Sequence, residues 1–144
     1  MLINLSKETY LVPEGIYRAT LIEFIDFTET DKKNADLRFK WRINYPTVDG
    51  KVYLLGKNYK LDNQSILFND LQSWFPDGLH QFEAQPGQLD LAKLVGQQAD
   101  IVVGHKLNDN HALPFVYIRS VHPSGKLVKL PKQSYAPFVR ENPV

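Results

Sequence analysis

The stretch Asp36–Lys60, DLRFKWRINYPTVDGKVYLLGKNYK, decides the fold. From Leu37 to Tyr45 every odd position is apolar (Leu37, Phe39, Trp41, Ile43, Tyr45) and every even position is polar (Arg38, Lys40, Arg42, Asn44). Successive side chains of a strand point to opposite faces, so this strict alternation predicts a half-buried strand with Trp41 inward and three cations outward. Pro46 cannot donate to a ladder and Asp49-Gly50 favours a reversal, so KVYLLGKNY returns as an antiparallel partner. Within it Gly56 marks a bulge or a close approach of backbone.

Upstream, GIYRATLIEFIDF reads as a strand with Tyr17, Ala19 and Leu21 on one face and Arg18 and Thr20 on the other. Its far end is apolar on both faces at Ile22, Phe24 and Ile25, which predicts a bend or an outer side that is partly covered. The polar loop TETDKKNAD joins it to the decisive stretch and brings Lys32 and Lys33 within reach of a ligand.

Downstream the period changes. In NQSILFNDLQSWF the apolar residues Ile66, Leu67, Leu71, Trp74 and Phe75 recur at helical spacing, Phe68 flanks them, and Pro76 stops the run. Ser65 is the expected N-cap, with Asp62 or Asn63 serving if the helix starts earlier. LHQFEAQPGQ reads as a loop, and LDLAKLVG as one or two helical turns between Asp90 as cap and Gly96 as terminator. QADIVVGHKL and PFVYIRSVHP return to strand character around the turn NDNHAL.

Five strands with a helical insertion between the third and fourth predict an all-β fold. The expectation is a five-stranded Greek-key barrel of the oligonucleotide-binding (OB) type, closed so that no edge is left open. A small sandwich or an SH3-like barrel has the same strand count. The barrel domain is expected over residues 1–123, with 124–144, which contains three prolines and alternates basic with apolar positions, as an extended C-terminal arm on its own domain or on a partner.

A length of 144 residues, 43% apolar and 23% charged, suits one globular domain. The chain has no cysteine, which excludes disulfides and thiolate chemistry, and His80, His105, His111 and His122 lack metal-site spacing, so no metal and no cofactor are expected. No secretory leader or long apolar run is evident, and a cytoplasmic protein without a membrane segment is expected. Phosphate-loop, dinucleotide and nucleophile-elbow motifs are all missing, GKNYK sharing only a Gly-Lys pair with a phosphate loop, so the expectation is not an enzyme.

The net charge of +1 conceals segregation. Residues 1–31 carry two basic and six acidic side chains, 32–60 eight and two, 61–100 one and six, and 101–144 six and two. A local basic face dominates a field that falls off within about 10 Å at moderate salt. Arg38, Lys40 and Arg42 stand about 6 to 7 Å apart along one face, which is commensurate with a stretched sugar-phosphate backbone. Arg18, Lys32, Lys33 and Lys57 extend this set, and Arg119 shares a strand face with Tyr117. For Tyr53, Tyr59 and Tyr117 a place at the core edge and a base-stacking role fit equally well. Long cations also cover the wet side of ordinary antiparallel sheets, although such a surface normally mixes signs.

The succession PEGIYRATLIEF, LRFKWRI, LQSWF, LDLAKLVGQQADIVV and FVYIRSVHP resembles small phage- or prophage-encoded single-stranded DNA-binding proteins with an OB-like fold. The matching positions are Pro13, Gly15, Tyr17 and Ala19 in the first strand, and Leu94, Gly96 and Ile101 to Val103 further on. This resemblance implies binding of single-stranded DNA, with RNA not excluded, largely without sequence preference. The alternative is a phage or mobile-element structural or protein-interaction module. Many such proteins recruit partners through an acidic tail, whereas KQSYAPFVRENPV is basic and aromatic, so a homo-oligomer formed through the arm is the expected substitute.

Overall fold

The computed structural model describes residues 12–28, 35–44, 52–107 and 114–128. The strands are β1 (Gly15–Asp26), β2 (Leu37–Ile43), β3 (Leu54–Tyr59), β4 (Glu83–Gln85), β5 (Gln88–Leu89), β6 (Gln98–Lys106) and β7 (Phe115–Pro123), with one helix, α1 (Ser65–Trp74). Five strands form one antiparallel sheet in the order β3-β2-β1-β6-β7, and β4 and β5 form a separate two-stranded sheet.

This corrects the barrel expectation. The large sheet is open: β3 and β7 come within 8 Å of each other at some Cα atoms, but no ladder joins them. The helix bridges that seam. It packs against β7 and is tied to β3 by Asp70, whose carboxylate accepts a hydrogen bond from Tyr59 at 2.7 Å and meets Lys57 Nζ at 2.7 Å. Strand count cannot distinguish closure by a ladder from closure by a helix, because both bury the same inner face.

That inner face carries the core. Tyr17, Ala19 and Leu21 of β1, Leu37, Phe39, Trp41 and Ile43 of β2, and Ala99, Ile101 and Val103 of β6 are buried beneath Leu67, Leu71 and Trp74 of α1. A bulge between Leu21 and Glu23 explains the doubly apolar end of β1: Ile22 is the extra residue, and the strand turns there. A second irregularity lies between Val102 and Val103 on β6 opposite β7.

Gln64, not Ser65, occupies the N-cap position of α1 and makes no side-chain cap, while Asn63 accepts hydrogen bonds from the Ser65 N–H and hydroxyl. Asp90 caps the 3₁₀ turn Leu91–Leu94 by accepting from the Ala92 N–H at 3.1 Å. Gly96, at φ +94°, then donates its N–H to the Leu21 carbonyl, a left-handed conformation that favours glycine. LHQFEAQPGQ contains the β4–β5 hairpin and the buried Phe82, elements too short to show a period. The expected Asp49-Gly50 turn lies outside the described residues.

Trp41 and Trp74 face each other with ring centroids 4.9 Å apart. Trp74 donates its indole N–H to the Gln98 carbonyl at 2.9 Å, whereas the Trp41 N–H is buried without a partner among the described residues. An orphan donor of this kind costs about 1 to 3 kcal/mol. Trp41→Phe is therefore expected to lose less stability than Trp74→Phe by about that margin in urea unfolding. Equal losses would show that the Trp41 N–H is satisfied in solution.

Candidate functional site

The outward face of β2 carries Arg38, Lys40 and Arg42. Opposite them on β3 stand Asn58, Gly56 and Leu54. Arg38 is half-buried and donates from Nη1 to the Asn58 side chain at 2.8 Å. Its guanidinium lies over Gly56, where an added Cβ would sit 2.1 Å from Nη2. Gly56 is thus the close approach that its sequence position allows, and it causes no break in the β2–β3 register. Lys40 is 4.0 Å from Glu23, a loose contact between exposed groups, and Arg42 is exposed without an ion pair among the described residues.

Two other expected members of the cation set, Arg18 and Lys57, are engaged inside the fold. Arg18 is only 5% exposed; its Nε meets Asp100 at 2.7 Å and its Nη2 donates to the Val128 carbonyl. It belongs to a buried ion pair roofed by residues 124–128 and cannot reach a phosphate. Lys57 pairs across the ladder with Phe39, on the core face, and is engaged by Asp70. Lys32 and Lys33 lie outside the described residues.

The tyrosines do not border the row. Tyr59 is 3% exposed, T-stacked on Phe39, and Tyr53 packs half-buried against the core. Burial first, then the Asp70 charge and hydrogen bond, push the Tyr59 phenol well above its ordinary value of 10.0. Tyr117 and Arg119 form a pair, the guanidinium 5.9 Å from the ring centroid, lodged against Gly104. They stand on β7, three strands from β2 and beyond the opposite end of β1.

Two cavities open among the described residues. The first, of about 620 Å³, lies between α1 and the β4–β5 hairpin, lined by Leu37, Leu67, Phe68, Leu71 and Leu89, with Glu83 among its polar neighbours. The Gly87 N–H, more than His80, holds the Glu83 carboxyl below its ordinary range despite partial burial. The second is an open groove of about 600 Å³ lined by Trp74, Phe75, Asp77, Gln81, Gln97, Gln98 and Lys126, among others. Gln98 pairs with Thr20, and Thr20 pairs with Arg42, so this groove and the end of the cation row share one cross-strand rung. Sequence reasoning missed the groove because its residues come from four separate segments. The only signal was the paired glutamines Gln97-Gln98 at the start of β6.

Among the described residues no group of three or more His, Asp or Glu could hold a metal ion, and no helix is long and apolar enough to cross a membrane. Compared with known protein families, curated proteins and solved structures, the chain matches none significantly. The resemblance to phage-type single-stranded DNA-binding proteins is corrected on two counts: no relationship supports it, and the sheet is not a barrel. The fold defines an open antiparallel sheet packed by one helix, with a small second sheet beside it.

Proposed function

We propose that this chain is a non-enzymatic binding module for single-stranded nucleic acid, gripped through its phosphates and without sequence preference by Arg38, Lys40 and Arg42. The observation that carries this reading is the row itself. Three cations project outward at alternate positions of one strand, and Glu23 is the sole acidic side chain paired with them among the described residues. Arg38 engages one donor with Asn58 and keeps others for a phosphate oxygen. The row is narrower than sequence suggested, since Arg18 and Lys57 are engaged inside the fold.

Fluorescence anisotropy with labelled oligo-dT at two salt concentrations tests it. Micromolar or tighter binding is expected at low salt, with a slope of log K on log salt near about −2 for three single-strand phosphate contacts. Arg38→Ala/Arg42→Ala is expected to weaken binding roughly tenfold or more and to flatten the slope by about 1.4. No binding at low salt, or binding indifferent to this double variant, would sink the proposal.

A further inference from the structure

We infer that the groove beneath the end of the cation row is a base pocket, in which an unstacked nucleobase lies on Phe75 and bonds to the side-chain amides of Gln81, Gln97 and Gln98. This rests on the reading of the β2 row as a phosphate track. Phe75 is half-buried and held by stacking on Trp74, ring centroids 4.5 Å apart and planes at 27°, and by Phe82 at 4.6 Å. It is a rigid aromatic element in the groove lining. Three glutamines line the same space, and none of their amides has a hydrogen-bond partner among the described residues. An amide carries both donors and an acceptor and rotates to match either, so three of them suit any base edge without selecting one.

The charges separate the roles. Asp77 lines the groove, and a carboxylate there repels a phosphate but accepts from the N–H groups that every base presents. Lys126 is the only lysine or arginine in the lining among the described residues, with His80, also in the lining, turned to Glu83, and it is available to the sugar-phosphate next to the bound base. The rung Arg42, Thr20, Gln98 puts Gln98 on the same sheet face as Arg42 and two strands away, about 10 Å between backbones, which one or two nucleotides span. A neutral sugar chain would also use an aromatic ring and amides, but it has no need of the cations that lead there.

Two labelled strands of equal length decide the matter, oligo-dT and its abasic counterpart, which keeps the phosphates and lacks the bases. The intact strand is expected to bind roughly tenfold more tightly, in line with one or two stacking contacts. Gln81→Ala/Gln98→Ala, both exposed positions, and Phe75→Leu are expected to remove that advantage while leaving the abasic strand's affinity and the salt slope unchanged. Arg42→Ala should weaken both strands together. If both strands bind alike, or if the groove variants weaken them equally, the base pocket is overturned and the phosphate track stands. If neither strand binds, the track itself fails. Displacement of oligo-dT by a neutral glucan but not by thymidine nucleotide would also overturn the pocket in favour of a sugar site.

Discussion

Replacing Asp100 by Ala is expected to destabilise the protein by about 3 to 5 kcal/mol, the loss found when one member of a buried ion pair is removed and the other stays behind uncompensated. Asp100 is 0% exposed. One oxygen takes Arg18 Nε at 2.7 Å, and the other takes the N–H groups of Leu127 and Val128 at 2.8 Å each. Arg18 cannot escape to water, because the chain after β7 crosses above it and its Nη2 is bound to the Val128 carbonyl. One carboxylate therefore holds an arginine, two strands and the end of the chain's described part together. Arg18→Met/Asp100→Leu should recover part of the loss, since an apolar pair leaves no charge buried.

The pH dependence follows from the same contacts. Burial alone would raise the Asp100 carboxyl, but Arg18 and the backbone N–H groups of Val128, Leu127 and Gly125 outweigh it and hold it below its ordinary value of 3.8. On acidification the unfolded chain takes up its proton first. The stabilisation is thus complete above about pH 5 and is lost as pH falls through 3.8 toward the folded-state value. Urea unfolding of wild type and Asp100→Ala should differ most near neutrality and converge in acid; a gap that widened on acidification would contradict this account. Ser124 and Lys126 line the groove, so the same substitution is expected to loosen its rim.

Much of the fold was legible because burial imposes a period. The alternation of Leu37 to Ile43 placed Phe39 and Trp41 inside, and the helical spacing of Leu67, Leu71 and Trp74 placed α1 over them. What periodicity does not carry is register between strands. Lys57 looks like a continuation of the even row, but the β2–β3 ladder pairs Arg38 with Asn58 and Lys40 with Gly56, which sends Lys57 and Tyr59 to the core face. A shift of one residue would exchange every side chain between faces, and nothing local in KVYLLGKNY fixes it. Arg18 failed as a ligand for another reason. It does point to the outer face, but residues 124–128 cover that face, with Arg18 and Val128 in contact over a hundred residues apart in sequence. Sheet closure was illegible on similar grounds: whether β3 and β7 pair depends on where the inserted helix settles.

Asp70→Ala is expected to cost about 2 to 4 kcal/mol, next to Asp100→Ala in size. The carboxylate lies at the seam between α1 and β3 with 13% of its side chain exposed, and it accepts from both the buried Tyr59 hydroxyl and Lys57 Nζ, each at 2.7 Å. Its loss leaves a phenol in the core without an acceptor. Lys57, 16% exposed and 5.7 Å from the Tyr59 ring, keeps its cation–π contact and partial access to water, which sets the figure below that for Asp100. Asp70→Asn retains an acceptor for Tyr59 and loses only the charge facing Lys57, so its cost should be smaller. At high pH the sign reverses relative to Asp100. Desolvation, then the neighbouring charge and hydrogen bond, hold the Tyr59 phenol protonated beyond its ordinary value of 10.0, so its stabilisation is full below pH 10 and is lost as pH rises above it, where the unfolded chain ionises first. In an alkaline titration followed by tyrosinate absorbance and circular dichroism together, one phenol should ionise only as the fold is lost. Tyr59→Phe should abolish that coupled step and move the alkaline transition upward, whereas a Tyr59 that titrated freely in the folded protein would mean that α1 is not held to β3 through Asp70.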